Sequence, residues 1–204
     1  MKIFAIGWNY PAHNKEMKRT FLSENPIVFM KPDSALLQNG NPFFIPDFSQ
    51  DVQHEVEIVI KINRLGKNIA ERFAYRYYSE CTVGIDFTAR DLQRSLREQG
   101  LPWEISKAFD GAAAIGGFIP VEQFDSMQNI DFYLNKNGIT VQKDNTASML
   151  FGIDVIIAWI SRFFTVRTGD LIFTGTPAGV GKVEINDHLE GYIQDRKLLD
   201  FYVR

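Results

Sequence analysis

The sequence predicts an α+β fold that is mostly β. Three observations carry this expectation. Short apolar or alternating runs outnumber helical ones; residues 54–62 alternate, with Val56, Ile58, Ile60 and Ile62 on one face and Glu55, Glu57, Val59 and Lys61 on the other; and residues 131–142 hold two alternating runs around an Asn-Gly turn. Strands and helices do not follow each other in regular alternation, so a βαβ winding is not expected.

In chain order, residues 2–7 read as a strand that stops at a glycine, and residues 9–18 as a polar segment with weak helical character. Residues 27–30 form a short buried strand ended by Pro32. After the strand over 54–62, residues 69–80 and 88–99 look helical, the second closing at Gly100 with Pro102 just beyond. Residues 131–142 make a hairpin whose turn is Asn135-Lys136-Asn137-Gly138, since Asn-Gly tolerates positive φ. Residues 154–164 are an apolar helix, and residues 171–174 a strand leading into the Gly/Pro-rich loop 175–181. The tail alternates again.

No linker, low-complexity tract or repeat interrupts the 204 residues, so one domain over 1–204 is expected. With 45% hydrophobic and 23% charged residues the chain can build a sizeable core, which excludes a disordered protein. A net charge of −3 gives no field for nucleic acid or an anionic membrane. No run reaches the ~18 apolar residues of a membrane span, and the opening MKIFAIGWNY lacks a basic region followed by a long apolar core. A cytoplasmic location without nucleic-acid or membrane partners is therefore expected. The lone cysteine, Cys81, excludes an internal disulfide and a multi-cysteine zinc site, and reads as a small buried hydrophobe.

Several residues could carry chemistry. Glu55 and Glu57, two apart on one strand face, have α-carbons ~6.6 to 7 Å apart, close enough to share one ion. Such a face is either solvated or, if buried, in need of a cation, because an unpaired buried carboxylate costs several kcal/mol. Asp86, just before a predicted helix, either caps backbone amides or adds a third oxygen ligand. Oxygen-only donors would suit Mg²⁺ or Mn²⁺ better than zinc. Arg90, Gln93 and Arg97 share a helix face that is either solvated or aimed at an anion.

His13 and Glu16, three apart, are either a surface pair or a general-base dyad in which the carboxylate fixes the imidazole tautomer. His54 reads as a strand residue and His188 as a loop residue, neither with such a partner in sequence. Lys31 ends a strand; Lys107 lies among apolar and aromatic residues, where it either snorkels to solvent or meets a carbonyl or carboxylate. The loop 174–181 lacks the Gly-Lys-Ser/Thr ending of a nucleotide site, although its threonines and amides suit a small acid.

Six of these pieces occur in the order shown by the fumarylacetoacetate hydrolase superfamily, which the chain resembles from end to end. They are Gly7-Trp8-Asn9-Tyr10 with His13 and Glu16, Phe29-Met30-Lys31-Pro32, Glu55-Val56-Glu57, Asp86 through Asp91 with Gln93, Gly100-Leu101-Pro102-Trp103 with Lys107, and Gly169-Asp170 through Gly181. The stretch before Lys107 is most similar to the acylpyruvase and oxaloacetate decarboxylase branch. Trp8 departs from the smaller or polar residue of many members, and Asn186-Asp187 from the Gly-Asp of the tail.

The resemblance implies a mixed β-roll or β-sandwich with a few short helices, usually a homodimer, holding Mg²⁺ or Mn²⁺ through Glu55, Glu57 and Asp86. It implies that His13 and Glu16 activate water on a short lid, that Lys107 is catalytic, and that Lys31, Arg90, Gln93 and Thr176 bind a small oxo or diketo acid. The activity implied first is hydrolysis of acylpyruvates to pyruvate and a carboxylate, with oxaloacetate decarboxylation at the same site. Isomerisation or decarboxylation of 2-hydroxyhepta-2,4-diene-1,7-dioate-type substrates stands as an alternative, and a non-catalytic metal- or ligand-binding module as a second.

Overall fold

The computed structural model describes residues 1–18, 23–38 and 40–204. Strands dominate, and curled sheets enclose the core. The largest sheet runs, edge to edge, through Ile27–Lys31, Ile3–Gly7, Leu171–Phe173, Val56–Ile62, Tyr78–Asp86, Ala113–Ile115 and Leu36–Gln38, with Ile119–Pro120 beside Tyr78–Asp86. A second sheet joins Ile139–Asn145, Asp131–Lys136, His188–Ile193 and Arg196–Tyr202; a third joins Gly181–Lys182, Val52–His54 and Thr88–Ala89.

Val56–Ile62 is central. It pairs antiparallel with Leu171–Phe173 on one side and Tyr78–Asp86 on the other, and residues 56–60 are buried on both faces, which suits the β-branched Val56, Ile58, Val59 and Ile60. Ile3–Gly7 runs parallel to Leu171–Phe173. These directions place the ends of the two parallel strands, the start of Val56–Ile62 and the finish of Tyr78–Asp86 along one rim of the sheet. His13, the loop after Phe173, Glu55, Glu57 and Asp86 all emerge at that rim.

Several expectations are corrected. The run 54–62 is two strands: Val52–His54 belongs to the small sheet and Val56–Ile62 to the large one, with Glu55 at the change of sheet. Residues 69–80 are not one helix; a 3-10 segment, Glu71–Tyr77, gives way to the strand Tyr78–Asp86. Pairing with Val56–Ile62 outweighs the local helical pattern, and aromatic residues suit the half-buried sheet surface. Thr88–Ala89 pairs with Val52–Gln53, so the helix covers only Arg90–Glu98. His188 opens a strand instead of lying in a loop, and its ring meets Asp200 at 2.7 Å.

The hairpin forms as expected, with Asn137 at φ 55° and Gly138 at φ 78°, the two left-handed residues of a type I′ turn. The apolar helix spans Ile153–Phe163. Cys81 is fully buried and its thiol is pushed up to about 12 by burial, the behaviour of an inert core residue. No helix of the described residues is long and apolar enough to cross a membrane.

Candidate functional site

Glu55, Glu57 and Asp86 are all buried, and each offers a carboxylate oxygen lying within 4.8 Å of those of the other two. The backbone builds this cluster. Glu57 projects from the start of the central strand and Asp86 is the last residue of its neighbour; Asp86 N donates to the Glu55 carbonyl at 2.8 Å, tying the sheet change to the strand end. Gly175 N donates to Glu57 Oε2 at 2.6 Å. Gly175 sits at φ +106°, where a Cβ would lie 2.6 Å from Asn9 Cβ, so only glycine brings that amide to the carboxylate.

Three cations face the three acids. Lys107 Nζ donates to Glu55 Oε2 at 2.7 Å and to Asp86 Oδ2 at 2.8 Å. Arg90 pairs with Glu55 Oε1 through Nη2 and is held by Gln93 Oε1 at 2.6 Å and Gln53 Oε1 at 2.8 Å. Lys31 Nζ forms an ion pair with Asp86 Oδ1 at 2.6 Å and donates to the carbonyls of Lys107 and Ala112. Burial favours the neutral form of both glutamates; at Glu55, Lys107 and then Arg90 outweigh it and hold the pKa below the usual range. At Glu57 burial, Asp86 and Glu55 act in one direction and push the carboxyl well above that range. The acid worst served by the protein's own cations is therefore Glu57.

This donor set fits a hard divalent cation. It is all oxygen, buried and convergent, with one member whose charge the surrounding residues do not neutralise. Glu55, Glu57 and Asp86 would hold the ion. Because three carboxylates already face Lys31, Lys107 and Arg90, an added divalent ion leaves the cluster with a formal excess of two positive charges, suited to an anionic substrate.

Above the cluster lies the short helix Pro11–Glu16, with proline at its first turn. His13 Nδ1 meets Glu16 Oε2 at 3.3 Å, and Glu16 in turn accepts from Gly179 N at 3.1 Å, so the helix is tied to the loop after Phe173. A carboxylate can only accept, so Nδ1 carries the proton and Nε2 keeps its lone pair. Burial lowers the His13 pKa despite the opposing fields of Glu55 and Glu16, which keeps the ring neutral near pH 7. Trp8, in a left-handed conformation at φ 67°, stacks on His13 at 5.6 Å.

One small cavity is lined by His13, Glu55, Glu57, Asp86, Arg90, Gln93, Lys107 and Thr176, with Trp8, Phe29 and Trp103 among its walls. Eight of the ten residues singled out in the sequence thus come together. Glu16 stands behind His13, and Lys31 behind Asp86, where it lines instead an apolar cavity of about 790 Å³ on the far side. Asp86 does not cap the following helix, whose N-cap Ala89 makes no side-chain bond. Gln53 and Gln142 were not legible as site residues: Gln53 lies two residues before Glu55 and Gln142 in the predicted hairpin, but each acts through partners distant in sequence. A second acidic group, His188, Glu190 and Asp200, is only half-buried, and Lys197 bonds both carboxylates.

Residues 2–203 match the family model described as fumarylacetoacetate (FAA) hydrolase C-terminal. The mitochondrial oxaloacetate tautomerase FAHD1 of Mus musculus is 37% identical over 202 residues, 99% of this chain and 91% of that protein. The mitochondrial oxaloacetate decarboxylase of Dictyostelium discoideum is 41% identical over 184 residues, 90% of this chain and 84% of its own length. Among solved structures, the fumarylpyruvate hydrolase of Pseudomonas aeruginosa in complex with Mn²⁺ and pyruvate superposes with a TM-score of 0.92 at 34% identity, covering 100% of this chain and 89% of that one. By family model, by sequence and by fold, the chain belongs to the fumarylacetoacetate hydrolase family.

Proposed function

We propose that the chain is a divalent-metal enzyme, using Mg²⁺ or Mn²⁺, that carries short 2-oxo acids through an enolate. The observation that supports this best is the juxtaposition of three buried convergent carboxylates with a buried, neutral His13 in one cavity. The ion, when bound, would supply Lewis acidity to the oxo-acid oxygens and so lower the energy of the enolate. Lys107 and Arg90 hold Glu55 and Asp86 in place and present positive charge to the acid's carboxylate. His13 takes a proton at Nε2 while Glu16 stabilises the imidazolium through Nδ1.

Two substrates follow from these roles. With acylpyruvates, the proton taken by His13 comes from water, whose oxygen adds to the distal carbonyl; the carbon-carbon bond then breaks to a carboxylic acid and the enolate of pyruvate, whose carbon takes the proton back from His13 to give pyruvate. With oxaloacetate, His13 would move a proton between C3 and solvent, interconverting keto and enol forms, and decarboxylation would need no water. The second reading is favoured by the names of the mouse and Dictyostelium relatives, the first by a base paired with its own carboxylate.

The test is a panel of acylpyruvates, oxaloacetate and a hydroxylated dienedioate offered to the Mn²⁺-loaded protein. Turnover of the first two is expected. Metal binding without turnover of any of the three would leave a non-catalytic module and end the enzyme reading. His13→Ala should lower acylpyruvate hydrolysis by ~10²- to 10⁴-fold while sparing part of the oxaloacetate decarboxylation. Equal loss of both with metal still bound would remove His13 from its assigned role.

A further inference from the structure

We infer that Gln142, buttressed by His54, is a positioning residue that turns the Thr176 hydroxyl into a hydrogen-bond donor for the carboxylate of the bound acid; this rests on the oxo-acid reading of the site. The strand Ile139–Asn145 is exposed or half-exposed except at one residue, and that residue, 1% exposed, is a glutamine. A buried amide at the one fully buried position of an edge strand is costly unless all its bonds are made. All four are made. Oε1 accepts from Val56 N at 3.0 Å and faces His54 Nδ1 at 2.8 Å, while Nε2 donates to Pro177 O at 3.0 Å and to Thr176 Oγ1 at 2.9 Å.

The two backbone partners fix the amide's orientation. Val56 N–H requires an oxygen and Pro177 C=O requires an N–H, so the amide cannot be turned over. Two consequences follow. His54 must donate from Nδ1 to the amide oxygen. Thr176 Oγ1 must accept from Nε2, so its own proton points elsewhere. Among the described residues it donates to no protein group, and Thr176 lines the cavity that holds the carboxylate cluster. A donor on that wall is available to the carboxylate of an oxo acid drawn in by Lys107, Arg90 and the ion. Gln142 comes from the second sheet, and its amide thus sets a group on the rim of the first.

Gln142→Glu tests this directly. It keeps size and the Oε1 acceptor but replaces the donor by an acceptor, so the Thr176 proton is captured and its lone pairs face the substrate. Pyruvate binding to the Mn²⁺-loaded protein, followed by calorimetry, should weaken roughly ten- to a hundredfold, as for loss of a hydrogen bond to a charged group. Thr176→Val should weaken it similarly, Thr176→Ser should restore most of it, and the double variant Gln142→Glu/Thr176→Val should be no weaker than either single one. In turnover the loss should fall on KM more than on kcat, with Mn²⁺ affinity unchanged.

Gln142→Met, which removes the donor without capturing the proton, should weaken binding less than Gln142→Glu. It keeps the comparison available should the buried charge impair folding. Unchanged pyruvate affinity in Gln142→Glu, additivity with Thr176→Val, or losses that follow the melting temperature alone would overturn the inference. Failure of the oxo-acid reading would look different: the Mn²⁺-loaded wild-type protein would itself neither bind pyruvate nor turn over anything in the panel.

Discussion

At the scale of single residues, charge compensation decides what each side chain can do. Lys31 is buried, pairs with Asp86, and gives its remaining protons to the Lys107 and Ala112 carbonyls. Removing it by Lys31→Met strips buried Asp86 Oδ1 and the Lys107 carbonyl of their donor, while Lys107 still serves Asp86 Oδ2 and Phe87 N the Ala112 carbonyl. Breaking such a pair costs about 3–5 kcal/mol, so in EDTA the melting temperature should fall by roughly 10 °C. A change of under two degrees would mean Lys31 is not the ion that holds Asp86. His13 yields a pH prediction. Burial lowers its pKa below the ordinary 6.5, so the neutral base is present above that value and is lost only as pH falls below it. The acid limb of kcat/KM should therefore lie below pH 6.5 and vanish in the residual activity of His13→Ala; a limb above pH 7 would contradict a histidine so buried.

At the scale of elements, sequence and structure agree where a pattern is local and part company where pairing is long-range. The Asn137-Gly138 turn was readable because its dihedrals are a property of two adjacent residues. The switch of sheet at Glu55 was not, because one unbroken alternation serves Val52–His54 and Val56–Ile62 alike, and only their partners differ. Tyr78–Glu80 resembled a helix end until the central strand claimed them. The acids, His13 and Lys107 stood out through the ordered motifs that resemble the family, whereas Gln142 shows no signal beyond being a polar residue in an alternating run.

The loop after Phe173 carries a prediction of its own. Gly179 sits at φ +98°, a Cβ there would run into the Val141 carbonyl, and its amide ties Glu16 to the loop. Gly179→Ala should cost more than about 1 kcal/mol and, by releasing Glu16, raise KM by severalfold. Steady-state kinetics beside a melting curve would check both; unchanged KM would show that the helix Pro11–Glu16 needs no such tie.

At the scale of the whole molecule, the carboxylate cluster doubles as a junction. Glu55 lies where the small sheet meets the large one, Glu57 on the central strand and Asp86 at the end of its neighbour, so an ion held by all three fastens separate segments together. Anything that binds only the folded chain stabilises it, by about 2.7 kcal/mol at a hundredfold excess over Kd. Mn²⁺ at that excess should therefore raise the melting temperature by roughly 5–10 °C. Glu57→Gln separates this effect from its cost. Without metal the variant should melt higher than wild type, because burial and the charges of Asp86 and Glu55 already oppose an ionised Glu57, while the substituted amide oxygen can still accept from Gly175 N. With Mn²⁺ the order should invert, the wild type gaining its increment and the variant little. Parallel scans with and without the ion decide the matter: a metal shift surviving in Glu57→Gln would place the ion elsewhere, and a lower apo melting temperature would show Glu57 to be a structural group whose charge the fold already accommodates.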